Sequence, residues 1–276
     1  MIHSFSYCAP SSLDELLSVL AENVPGARVL AGGTDLLVDA RAGKIAPSLV
    51  IDVKRVEELR EVGFSLDEGL SVGAAVTLTE ICEHGFINSD FELLADAAWS
   101  IASKQIRNRA TAVGNICTGS PAGDMGPALL AFDAVVRIAS VRGRREIPIS
   151  SFFKGVRRND LAPDEIVTSV LIPNRYSDFK GRTMKLKRIK GHDLAIVSAA
   201  VLAGNGVIRL AAGSCAPCPV FLGEFPVDAD VEEIVESALS KVSPIDDIRA
   251  SADYRRFMLG EYVRRLVAYA KDPEEE

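Results

Sequence analysis

The 276-residue chain lacks any apolar run approaching the roughly 20 residues that a membrane-spanning helix needs. It also lacks a basic excess. Lys and Arg number 31 against 38 Asp and Glu, a net charge of −7. The positive field that holds nucleic acid is absent, so no nucleic-acid partner is expected. Short basic runs at 142–145 and 185–190 read as solvated faces or as contacts to a bound anion. The three histidines, His3, His84 and His192, are far apart and form no metal-spaced cluster. No Ser-His-Asp or paired-carboxylate arrangement stands out, so no catalytic residue is assigned. Five cysteines, an odd number, come without a basic stretch leading into an apolar one at residues 1–5. No signal peptide is expected, and reduced thiols in a cytoplasm are. Cys215-Ala216-Pro217-Cys218 has the spacing of a redox or zinc pair. It follows a strand-like run, precedes Pro219 and has no second ligand pair, so it reads as coincidence and no metal is assigned.

Apolar residues make up 48% and charged residues 25%, the balance of an ordinary globular protein. At roughly 150 residues per domain, about two domains are expected. Two glycine-bearing stretches stand out, Ala31-Gly32-Gly33-Thr34-Asp35-Leu36-Leu37 and the run Thr111 to Asp124. The second carries Gly114, Asn115, Cys117, Thr118, Ser120 and Asp124. Both are expected where a strand gives way to a loop. Glycine lets backbone N–H groups face an anion without a Cβ in the way, and hydroxyls add donors. Two such loops suit a ligand with two phosphates, such as a dinucleotide. Asp124 is suited to accept from sugar hydroxyls, or else it caps a helix before Gly126.

The rest of the pattern mixes helices and strands. Ser12 to Glu15 reads as a capping box opening a helix through Leu20, and Thr77 to Glu80 as a second one. Strands are expected at Val29 to Ala31, Leu49 to Val53, Leu70 to Ala75, and as a pair around Arg142-Gly143. Another is expected at Glu165 to Ile172. Residues 174–181 are turn-rich and read as a linker. Three further strand-like runs follow, with Asn205-Gly206 as a hairpin turn, and two helices close the chain near 231–240 and 251–271. Trp99 and Phe152-Phe153 are expected in the core.

Taken together these pieces resemble the FAD-binding medium subunits of molybdenum hydroxylases, the xanthine dehydrogenase and carbon monoxide dehydrogenase group. The likeness rests on Phe5-Ser6-Tyr7 with Pro10, the AGGTDLL stretch, Val72-Gly73-Ala74-Ala75 and Ile106-Arg107-Asn108. It extends through Ser120-Pro121 with Asp124, Ile172-Pro173 and Ser251-Ala252-Asp253-Tyr254-Arg255-Arg256. It covers essentially the whole chain.

The resemblance implies an α+β, vanillyl-alcohol-oxidase-like fold. Two α/β subdomains, 1–55 and 56–175, would clasp FAD. A C-terminal domain, 180–276, would add three strands and helices. It further implies that Ala31, Gly32, Gly33, Thr34 and Asp35 wrap the pyrophosphate, with Val29, Leu30 and Leu36 on the same approach. Ala102, Thr111, Gly114, Asn115, Cys117 and Asp124 would form the second half of the cradle, with Asp124 on the adenosine ribose and Lys185 near the flavin ring. The implied work is electron transfer: an iron–sulfur small subunit and a molybdopterin large subunit feed the FAD, and NAD, oxygen or a quinone takes the electrons. One position departs from the family's Thr/Ser-x-Gly-Gly-Asn pattern, because Val113 stands where the first glycine is usual. A β-branched residue resists positive φ, so the backbone there is either not left-handed or displaced. A chain that lost FAD and serves assembly only, and a free-standing flavoprotein oxidoreductase, are the alternatives.

Overall fold

The computed structural model describes residues 4–272. His3 and the first part of the N-terminal stretch read above for a signal peptide lie outside the described residues.

The chain opens with a three-stranded parallel sheet ordered Ser6–Cys8, Leu49–Asp52, Ala27–Leu30. The helix Leu13–Asn23 buries Leu13, Leu16, Leu17 and Leu20, the 3–4 spacing that aims one stripe at a core. Ser12 caps it by accepting from the Glu15 N–H. The carboxyl ends of the two neighbouring strands lie side by side, since Leu30 pairs with Asp52.

A five-stranded sheet follows, ordered Val62–Ser65, Gly69–Gly73, Ile166–Pro173, Val135–Ser140, Gly143–Pro148. Every pair in it is antiparallel. Six short helices fill the chain between its second and third strands in sequence, Gly69–Gly73 and Val135–Ser140, and they bury Phe91 and Phe132 among Leu, Ile and Ala side chains. Thr77 and Glu80 close the expected capping box on the helix Leu78–Glu83.

The third sheet is antiparallel and holds four strands, Lys180–Leu186, Val197–Gly204, Val207–Gly213 and Val220–Pro226. Three were expected; the fourth carries Gly223 and Pro226, which weakened its strand signal. The helices Val231–Ser240 and Ala252–Lys271 cover one face. Val197, Ala199, Val201 and Ala203 point into that core, whereas Ala200 and Leu202 join the core of the preceding 179 residues. The sheet is therefore buried on both sides, which explains its nearly continuous apolar runs.

Two expectations fail here. Residues 174–181 are no open linker: Tyr176 and Phe179 are buried and pack edge to face. Trp99 is half exposed, with the Arg107 guanidinium 4.7 Å from its ring. Phe152 and Phe153 are core, as read.

Candidate functional site

The first glycine stretch leaves the strand Ala27–Leu30, with Val29 and Leu30, at its carboxyl end and enters the helix Leu36–Arg41. Ligands favour this end of parallel strands. Gly33 has φ +75, and a Cβ there would sit 2.8 Å from Leu30 Cδ1. Gly32 is tighter: a Cβ would lie 2.1 Å from the Arg109 carbonyl oxygen and 2.8 Å from Ala110 Cα. The bend thus presses its backbone on the residues just before Thr111, and the two stretches meet. Asp35, exposed beside the bend, has its carboxyl pKa raised by partial desolvation, against the pull of Arg157.

The second stretch is not the loop after a strand that its composition predicts. Thr111 caps a helix, Ala112–Cys117, by accepting from the Gly114 N–H at 2.9 Å. Val113 sits inside that helix, only 4% exposed. The helical backbone needs no positive φ there, so valine fits and adds apolar contact. The ground for supposing a spoiled cradle is gone. Asn115 faces the next turn, and its Oδ1 accepts from the Met125 N–H at 3.2 Å. Cys117 is inert: burial pushes its thiol up to about 12. Gly119 closes the helix with φ +61, and its carbonyl accepts from Arg157 N–H at 2.8 Å. Arg157 also reaches Asp39 Oδ2 at 2.7 Å, so the two stretches are tied a second time.

Asp124 and Lys185 form an ion pair, Nζ to Oδ2 2.7 Å, with little exposure of either side chain. Lys185 also donates to the Ser100 carbonyl at 3.3 Å. Burial raises the Asp124 pKa, against the pull of Lys185. Asp124 Oδ1 is buried and has no partner. The resemblance set Asp124 at the adenosine ribose and Lys185 at the ring; the structure brings the two side chains to one spot, in a single ion pair. Ala102, close by in sequence to Ser100, has φ +47. Arg107, buried, holds this turn by donating to the Ile101 carbonyl at 2.8 Å and to Trp99 and Ala102.

Sequence reading missed Lys54. It follows the strand Leu49–Asp52, and its Nζ reaches both Ala31 O at 3.1 Å and Asp52 Oδ2 at 2.6 Å. Asp52 is buried, yet hydrogen bonds from Lys54 and Tyr7 outweigh that burial and hold its carboxyl below the usual range. A cleft of about 330 Å³ opens between Ala31, Lys54, Arg60, Arg109 and Thr111. The only available signal for Lys54 was its place just past a strand that pairs with the one feeding the first glycine stretch.

Residues 3–175 match the family model described as the FAD binding domain in molybdopterin dehydrogenase. The chain belongs to this family. A xanthine dehydrogenase FAD-binding subunit of Escherichia coli O157:H7 is 31% identical over 96% of this chain and 95% of its own length. The carbon monoxide dehydrogenase medium chain of Hydrogenophaga pseudoflava is 31% identical over 95% and 96%. Among solved structures, a chain of quinoline 2-oxidoreductase from Pseudomonas putida 86 superposes with a TM-score of 0.91 at 27% identity, covering all of both chains. The α+β architecture and FAD as cofactor accord with this membership.

The CxxC residues take no part in the site. Cys215 is buried, and burial pushes it up to about 12, the reverse of an activated thiolate. All five cysteines are free thiols. No helix among the described residues is long and apolar enough to cross a membrane.

Proposed function

We propose that this chain is the FAD-binding electron-transfer subunit of a molybdenum hydroxylase complex. In this reading an iron–sulfur subunit and a molybdopterin subunit are its partners, and NAD, oxygen or a quinone is its acceptor. One observation carries the reading: Gly32 lies backbone to backbone against Arg109-Ala110, joining the first bend to the segment that leads into the helix Ala112–Cys117, beside a cleft lined by Lys54, Arg60 and Arg109.

The residues present fit a dinucleotide. Bound FAD would supply the redox chemistry, taking up and releasing electrons one or two at a time. The protein binds and orients. Ala31 to Asp35 offer backbone N–H groups to a phosphate, on a bend whose close approach to Arg109 and Ala110 only glycine allows. Lys54, braced on Asp52, adds positive charge at the Ala31 carbonyl. Asp124 presents an unpartnered acceptor, and Lys185 sets a cation beside it. Thr111, Gly114, Asn115 and Ala102 shape the wall between these two ends.

The purified chain is expected to carry a flavin absorption band at about 450 nm, or to acquire it when FAD is added to the cofactor-free protein. Asp124→Asn should weaken FAD binding roughly tenfold, since a charge-assisted hydrogen bond is lost. Absence of any FAD binding by titration calorimetry overturns the reading and leaves the assembly-only alternative. Co-purification of the native complex with metal analysis identifies the partners; a monomer or homodimer active alone favours the free-standing oxidoreductase.

A further inference from the structure

Ser198 lies in the strand Val197–Gly204 and is almost wholly buried, yet its hydroxyl has no partner. The alternation of the sheet decides which way it points. Val197 and Ala199 face the C-terminal helices, so Ser198 faces the other core, with Ala200 and Leu202. Lys185 is its direct partner in register on one side and Gly213 on the other. Directly opposed residues on one face stand about 5 Å apart at Cβ. At Gly213 an added Cβ would meet Ser198 Oγ at 2.7 Å and Pro127 Cγ at 3.2 Å, so the hydroxyl lies beneath the turn that carries Asp124.

Three polar groups thus share one enclosed spot with capacity left over. Asp124 Oδ1 needs a donor, and Ser198 Oγ can give or accept. Lys185 has three N–H groups and uses two of them, on Asp124 and Ser100. Buried polar atoms without partners are rare, and two beside one ion pair mark a place that something else completes. The missing piece must donate to a carboxylate oxygen and accept from an ammonium or hydroxyl. An alcohol does both through one oxygen; the isoalloxazine edge splits the two roles between an N–H and a separate carbonyl, and an ionised phosphate oxygen cannot donate.

Resting on the FAD reading above, we infer that Ser198, with Asp124 and Lys185, grips the hydroxylated chain that joins the flavin ring to the diphosphate. Ser198 is then a cofactor-contacting residue supplied by the C-terminal sheet, outside the region 3–175 that defines the family match.

The experiment compares wild type and Ser198→Ala, each freed of cofactor, by calorimetric titration with FAD and with ADP, and by thermal denaturation of the cofactor-free forms. ADP has the diphosphate but not the hydroxylated chain. FAD binding should weaken about tenfold in the variant while ADP binding stays equal. The cofactor-free variant should melt at the same temperature or higher, because an unsatisfied buried hydroxyl has been removed. Equal FAD affinity in both proteins overturns the inference. So does a fall in melting temperature with no change in FAD affinity, which would mark a hydroxyl serving the fold through a buried water. Failure of wild type to bind FAD at all sinks the parent reading instead.

Discussion

At the residue scale, the site depends on where a Cβ cannot go. Gly32 has no room toward the Arg109 carbonyl. Gly32→Ala should force the two stretches apart, costing about 1–3 kcal/mol as overpacking does. Loss of FAD binding together with a lower melting temperature is the expected result; unchanged titration curves would show the contact to be dispensable. Val113 makes the opposite point. Read as a sequence it threatens a phosphate loop, but the helix around it turns the same residue into core. Lys54 is held between Asp52 and the Ala31 carbonyl. Lys54→Met should leave Asp52 as a buried unpaired charge and lower stability by about 2 kcal/mol, read by denaturant unfolding.

At the element scale, the helix Ala252–Lys271 is docked by one buried cation. Arg255 is 1% exposed and pairs with Asp247 at 2.6 Å, while donating to the Ile196 carbonyl just before the strand Val197–Gly204. Asp247 is shared with Arg249. Burial opposes ionisation of Asp247, but the hydrogen bonds and charges of Arg249 and Arg255 win and hold its carboxyl well below the usual carboxylate range. Asp247→Asn leaves Arg255 uncompensated and should cost about 3 kcal/mol, a melting-point loss on the order of 10 °C. The sequence marked this helix by its apolar spacing, and the structure adds Ser251 as its cap. Nothing local to Arg255 said that its charge would be buried. The short helix Ala112–Cys117 was equally illegible. Glycine and small residues over six positions read as loop, and only its Thr111 cap and the packing of Ala112, Val113 and Ile116 make it helical.

At the scale of the whole molecule, two properties follow. The sheet of Lys180–Leu186 and its three partners is covered on both faces, and Ala200, Leu202 and Ala211 complete the core of the rest. A fragment of residues 1–175 would expose that core. It should aggregate or bind a hydrophobic dye in size-exclusion and fluorescence assays, whereas the full chain should melt cooperatively. The second property is acid sensitivity. Asp52, Glu165 and Asp247 have folded pKa values depressed by their cationic partners. The unfolded chain therefore binds more protons in acid, and stability present above about pH 4.5 falls as pH drops through the depressed values. Unfolding followed against pH should show this acid limb, and Asp247→Asn should flatten it.

The amino-acid pattern alone determined the mix of helices and strands, the first glycine bend, the two capping boxes, the closing helices and the family resemblance. Those depend on local chemistry: φ freedom, side-chain caps and the period of apolar residues. Only the tertiary structure decided that Gly32 abuts Arg109, that Asp124 and Lys185 share one ion pair, and that Ser198 lies opposite Lys185 on the face of a doubly buried sheet turned away from the C-terminal helices. Those are contacts between residues up to 77 positions apart, as Gly32 and Arg109 are. Their energies come from packing and desolvation, which no short window of sequence records.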